Sequence, residues 1–113
     1  MTTCDAPEDR YATDPLGVAE ADRLAEVMQG LASPVRLRLL GVLRSGPATV
    51  TELCVAIDAG QASVSNHLRL MRHLGLVVGE REGRRVRYRL FDDHVSAVYD
   101  EAVRHLGHLR SQP

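Results

Sequence analysis

At 113 residues, 44% hydrophobic and 26% charged, the chain has room for one domain with one core and carries no apolar run long enough to span a membrane. Its net charge of −1 conceals a polarity: residues 1–30 hold seven acids and two arginines, whereas residues 61–90 hold seven arginines and two acids. Cys4 and Cys54 stand too far apart in sequence to suggest a disulfide framework or a thiolate zinc cluster, and residues 1–14 lack the basic, apolar pattern of a secretory leader, so the expected location is cytoplasmic.

Residues 1–16, with Pro7 and Pro15 among polar neighbours, read as a flexible N-terminal arm; residues 17–110 read as the domain and 111–113 as a tail. From Val18 to Leu31, Leu24, Val27, Met28 and Leu31 recur at helical spacing and predict a first helix. Ser33 followed by Pro34 is an N-cap before a proline suited to the first turn, and the leucines and valines from Val35 to Leu43 predict a second, largely buried helix. Ser45, Gly46 and Pro47 break it. Thr49 and Glu52 then have the spacing of a capping box, with Leu53, Val55, Ala56 and Ile57 behind them in a short third helix.

After a turn at Asp58–Gly60, Val64, Leu68, Met71 and Leu74 predict a fourth helix over 61–74. Its polar side holds Gln61, Ser63, Ser65, Asn66 and Arg69, all able to bond base edges or phosphates. The third and fourth helices make a helix-turn-helix. Leu76–Val78 and Val86–Leu90 predict a β-hairpin whose tip, Arg81 to Arg85, is rich in arginine. A last helix, from Asp93 to about Arg110, presents Val95, Val98, Tyr99, Ala102, Val103, Leu106 and Leu109 as one stripe. The fold class is therefore mainly α with a small β-hairpin: a winged helix-turn-helix of about five helices and a two-stranded wing. The apolar terminal stripe is too large to leave bare on so small a chain, which points to a homodimer.

Four runs together resemble the ArsR/SmtB family of winged-helix, metal-responsive regulators over roughly residues 20–110: Leu31 to Leu40 (Leu-Ala-Ser-Pro-Val-Arg-Leu-Arg-Leu-Leu), Ser63 to Leu68 (Ser-Val-Ser-Asn-His-Leu), Leu74 to Val78, and Arg81 to Leu90. The resemblance implies a homodimer joined through its first and last helices, with the fourth helix in the DNA major groove and the wing on the backbone. Within it, Ser63, Ser65, Asn66 and Arg69 contact bases and phosphates, Arg81, Arg84, Arg85 and Arg87 bind phosphate, and His67 packs beside the wing. A twofold dimer presents two reading helices about one DNA turn apart, which suits a palindromic double-stranded operator. Repression of a metal-homeostasis gene is the family default.

Asp92 and His94 at the start of the last helix, and His105 and His108 near its end, are a competent donor set for a borderline divalent ion. His94 and His105 share a helical face but lie about 16 Å apart along the axis, so one helix cannot close the site. Two antiparallel copies can, with Asp92 and His94 of one chain opposite His105 and His108 of the other. The pattern resembles the last-helix site of family members that sense zinc, or nickel and cobalt. His108, where zinc sensors often have an acid, favours nickel, with zinc and cobalt as alternatives. The competing reading is that Asp92 or Asp93 only caps the helix and the histidines are solvated. The family's thiolate site on the third helix looks absent, since Thr49 and Thr51 stand at its positions; Cys54 reads as core packing and Cys4 lies in the arm.

The alternative function is a winged-helix regulator without a metal effector, controlled by redox change or a partner, or acting as an activator. An enzyme is not expected, because no nucleophile elbow, phosphate loop or HExxH accompanies the Asp and His residues. A pure dimerisation module would leave the arginine-rich wing without a role.

Overall fold

A computed structural model describes residues 15–110. Most of the expected arm, Cys4 and the 111–113 tail lie outside the described residues. The elements run α1 (Val18–Leu31), α2 (Pro34–Arg44), β1 (Ala48–Thr49), α3 (Val50–Ile57), α4 (Gln61–His73), β2 (Val77–Glu82), β3 (Arg85–Leu90) and α5 (Asp93–Arg110).

Local chemistry accounts for most boundaries. Ser33 Oγ accepts from the Arg36 N–H at 3.3 Å with Pro34 at the first helical position, which starts α2. Thr49 and Glu52 close a reciprocal capping box at the head of α3: Thr49 Oγ1 accepts from the Glu52 N–H at 3.2 Å, and Glu52 Oε1 accepts from the Thr49 N–H at 2.8 Å. Those bonds, the backbone one above all, hold the Glu52 carboxyl below its ordinary value. Asp58 ends α3 in the left-handed region, at φ 54°, its N–H returned to the carbonyls of Cys54 and Val55.

The two-stranded wing is the β2–β3 hairpin, and its sheet gains a third strand that was not expected. The strand order is β1-β3-β2, with Ala48 opposite Tyr88 and Thr49 opposite Arg87, so the segment leading into α3 is a third, two-residue strand. β2 and β3 also run further toward the tip than the apolar alternation indicates, pairing from Val77 with Leu90 to Glu82 with Arg85. Gly79 to Glu82 look like loop because their side chains serve no core; backbone pairing, helped by the Glu82–Arg87 and Glu80–Arg89 ion pairs across the hairpin, keeps them extended.

The core lies between α2, α3, α4 and the base of the sheet. Leu39, Leu40, Leu53, Val64, Leu68 and Met71 are fully buried, joined by Leu43, Ile57, Leu76, Val77 and Ala48. Cys54 is a free thiol half-buried against this cluster. Only part of α2 is buried, since Leu37 reaches solvent. On α1, Val27 and Leu31 pack on the core, whereas Leu24 and Met28 face outward. No residue of α5 is buried, and no described helix is long and apolar enough to cross a membrane.

α5 is held to its own chain by Val95, Tyr99 and one ion pair. Tyr99 lies over Gly41, where an added Cβ would stand 2.6 Å from the phenol oxygen, so a bare backbone is required there. Beside it, Arg44 grips Asp100 with two bonds, Nε to Oδ1 at 2.5 Å and Nη2 to Oδ2 at 2.8 Å. This hydrogen bonding, then the opposite charge, holds the Asp100 carboxyl below its ordinary value.

Two outcomes are expected. In urea unfolding at fixed protein concentration, Leu68→Ala costs about 3 kcal/mol because it empties a fully enclosed site, and Leu70→Ala, on the outer side of the same helix, costs less than about 1 kcal/mol. Because the folded-state pKa of Asp100 is depressed, its contribution is complete above the unfolded carboxylate value of about 4 and is lost as pH falls through the folded one. Thermal unfolding of Asp100→Asn against pH should show lower stability near neutrality and a flatter acid limb than wild type; parallel acid limbs would remove Asp100 from the account.

Candidate functional site

α3 and α4 form the helix-turn-helix, and α4 turns its polar side out because Val64, Leu68 and Met71 fix the opposite side in the core. The helical repeat brings Asn66 and Arg69 together on that outer side with Ser65 at its edge, whereas Gln61, seven residues before Leu68, stands at the head of the helix toward the wing. Gln61, Asn66 and Arg69 are exposed and Ser65 is half-buried. Asn66 Oδ1 accepts from Arg69 Nη1 at 3.0 Å, so these two side chains present themselves as a pair. Ser63 is exposed but falls a flank away, in line with Leu70.

The arginines of the wing are not one group. Strand alternation and register put Arg85, Arg87 and Arg89 on one sheet face with Glu80 and Glu82, and Arg81 on the other with Val86. Arg84 and Arg85, at the tip, join Gln61 of α4, Thr49, Thr51 and Tyr88 around a recess of about 270 Å³ between the wing and the helix-turn-helix. Arg87 is already engaged: its Nε donates to both Glu82 oxygens at 3.1 Å, and Nη1 lies 3.5 Å from Glu52 Oε1 on α3. It ties the wing to α3. His67 does not sit beside the wing as expected; its Nδ1 accepts from Arg36 Nη1 at 3.2 Å, on the α1 side of the molecule. Neither the partners of Arg87 nor those of Arg36 were assigned from sequence, although Glu80 and Glu82 in step across from three arginines were a readable sign of the first.

At the head of α5, Asp92 is the N-cap. Its Oδ1 accepts from the N–H groups of His94 at 3.0 Å and Val95 at 3.3 Å, and its Oδ2 lies 3.2 Å from His94 Nδ1. The bond to the His94 ring, followed by the backbone bonds, keeps the Asp92 carboxyl below its ordinary value. At the other end, the His105 and His108 rings lie nearly parallel, at 18° with centroids 6.2 Å apart, and both are exposed. The structure thus pairs Asp92 with His94 and His105 with His108, and keeps the two pairs apart. Among the described residues, no group of three or more His, Cys, Asp or Glu comes together within one chain to hold a metal.

Between these ends α5 presents Val98, Val103, Leu106 and Leu109, each 44–56% exposed. Leu24, Val27, Met28 and Leu31 of α1 share an open groove with Phe91, Asp92, His94, Val95 and Val98.

A helix-turn-helix domain family matches residues 31–80. The HTH-type transcriptional regulator NmtR of Mycobacterium tuberculosis is 48% identical over 95 residues, 84% of this chain and 79% of its own length. A solution structure of apo-NmtR matches with a TM-score of 0.72 at 45% identity, covering 91% of this chain and 87% of that one. A homodimeric winged helix-turn-helix DNA-binding domain from Mycobacterium bovis, described as a possible ArsR-family transcriptional regulator, matches with a TM-score of 0.78 at 27% identity over 90% and 95% of the two chains.

The wing's two kinds of arginine should separate in a salt titration of DNA affinity. Arg84→Ala with Arg85→Ala is expected to weaken binding to all duplexes and to lower the slope of log affinity against log salt by about 2. Arg87→Ala, whose charge is already neutralised by Glu82 and Glu52, should weaken binding with a slope change below about 0.5. Equal slope changes per arginine would refute the distinction.

Proposed function

The chain belongs to the ArsR/SmtB family of metal-responsive, DNA-binding transcriptional regulators and is not an enzyme, and from that premise we propose a homodimeric repressor whose grip on its operator is set by a divalent ion held between two copies of α5. The observation that carries this reading is the layout of α5: donor pairs at its two ends, and an uncovered apolar face between them.

An apolar face of this kind calls for a partner surface, and a second copy of the same helix supplies one of matching chemistry. Packed antiparallel about a twofold axis, the two α5 helices bring Asp92 and His94 of each chain opposite His105 and His108 of the other, giving two equivalent sites. The donor chemistry fits: three imidazoles and one carboxylate, without thiolate, suit nickel, with cobalt and zinc as alternatives. All four side chains are exposed in the single chain and so remain within reach of a second one. Asp92 can keep α5 capped through Oδ1 while Oδ2 is turned toward the His94 ring. A bound ion would supply a cross-link between the protomers.

On the recognition helix of each protomer, Gln61, Ser63, Ser65, Asn66 and Arg69 are proposed to read a palindromic duplex in the major groove, with Arg81, Arg84 and Arg85 on the phosphates and Arg87 steadying the wing. Whatever the ion does to operator affinity, the operator does in equal measure to ion affinity. A second reading, DNA binding without a metal effector, draws support from Asp92, whose capping bonds by themselves account for an aspartate at that position.

The two readings separate in one experiment. With nickel, cobalt and zinc added in turn to the purified protein, His105→Ala combined with His108→Ala should abolish tight metal binding in calorimetry and the metal-induced change in DNA affinity, leaving metal-free DNA affinity within about twofold of wild type. Metal stoichiometry and metal-responsive DNA binding that survive the double substitution would refute the α5 site.

A further inference from the structure

α1 ends with no basic residue in its last turn, although its final carbonyls, at the negative end of the helix, favour a cationic donor. Arg36, in the first turn of α2, supplies one. Its Nε donates to the Gly30 carbonyl at 2.7 Å and Nη2 to the Gln29 carbonyl at 3.1 Å. Its remaining terminal nitrogen, Nη1, donates to His67 Nδ1 on α4 at 3.2 Å. A single planar guanidinium, rooted in α2, is thus bonded at once to the end of α1 and to the middle of the recognition helix, and its rigid fork fixes all three directions together.

Packing reinforces the junction. Gly30 is buried, and a Cβ there would stand 2.5 Å from Leu74 Cδ1 and 3.1 Å from Leu76 Cδ1, so the backbone of α1 is pressed against the residue that caps α4. His67 is half-buried, a flank away from the outward side of α4 that Asn66 and Arg69 occupy. Since Nδ1 accepts, the ring hydrogen must reside on Nε2.

We propose that Arg36 is a positioning residue for DNA reading: through His67 it locks α4 at one angle to α1, so that the placement of α1 at the dimer interface is passed to the reading heads. The inference rests on the dimeric DNA-binding reading above but requires nothing of the metal site. Its consequence is selectivity. A recognition helix free to swivel keeps its charge and its phosphate contacts but loses the alignment that distinguishes one base sequence from another.

The probes are a duplex that the wild-type protein selects from a random-sequence pool and a shuffled duplex of the same composition. Arg36→Ala and His67→Leu should each lower the ratio of the two affinities about tenfold, with shuffled-duplex affinity and sedimentation behaviour unchanged. Combined, they should do no more than either alone, since each by itself breaks the one link that runs from α1 through Arg36 to α4. His67→Asn, whose Oδ1 stands nearly where Nδ1 does, should restore the ratio, which a merely space-filling role for His67 would not allow. In ring ¹⁵N spectra, recorded without DNA or metal, neutral His67 should be wholly the Nε2–H tautomer in wild type and fall back to the mixed tautomers of a free imidazole in Arg36→Ala; if that variant fails to fold, His67→Leu and His67→Asn carry the comparison. Additive losses, an undiminished ratio in a folded variant, or a wild-type His67 protonated on Nδ1 would each overturn the inference. A wild-type protein that selects no duplex overturns it along with the DNA reading, whereas loss of metal response alone overturns only the metal site.

Discussion

The chain can enclose one small core, and α1 and α5 are left over from it. α2, α3, α4 and the base of the sheet supply every fully buried large side chain, while α5 is anchored by Val95, Tyr99 and the Arg44–Asp100 pair and turns Val98, Val103, Leu106 and Leu109 to solvent. Fully burying such a side chain is worth roughly 1.5–3 kcal/mol, so leaving the four about half exposed forgoes several kcal/mol, a sizeable share of the stability of a small domain. Association of two copies through this face, as proposed, would recover it. The candidate metal donors sit at the two ends of the same helix, so the element proposed to need a partner for burial would also need one to complete the proposed coordination shell.

α2 connects the parts that act on different ligands. Its buried leucines form the middle of the core, its C-terminal Arg44 holds α5, and its N-terminal Arg36 reaches both α1 and α4. A change in how α5 or α1 meets a second chain is therefore delivered to a rigid, close-packed body rather than absorbed by a loop. The wing has a separate attachment, through β1 and through Arg87 between Glu82 and Glu52, which leaves Arg84 and Arg85 at the tip to meet a polyanion.

Most of the helices were legible because their signals are local. Ser33 before Pro34, and Thr49 three residues before Glu52, are caps in the sequence and caps in the structure, and the spacing of Val64, Leu68 and Met71 predicts the buried side of α4. β1 was not legible, since Ala48 and Thr49 are extended only because β3 lies alongside them. The tip of the wing was read too short for a related reason: Gly79 to Glu82 carry no apolar alternation, and their pairing is a property of the backbone. Among the candidate site residues, the amphipathic pattern singled out the outward side of α4, and residue type and spacing the donors of α5, but neither distinguished Arg87 from Arg84 or gave Arg36 any task.

Periodicity, capping and spacing act within a few residues, so the order and kind of the helices, the polar side of the recognition helix, and the division of His and Asp between the two ends of α5 are legible in the chain. Which charges are spent on holding the molecule together, and which stay outward, is settled by packing. Arg36 meets His67 across 31 positions and Arg87 meets Glu52 across 35, and such contacts depend on where whole helices and strands come to rest against one core.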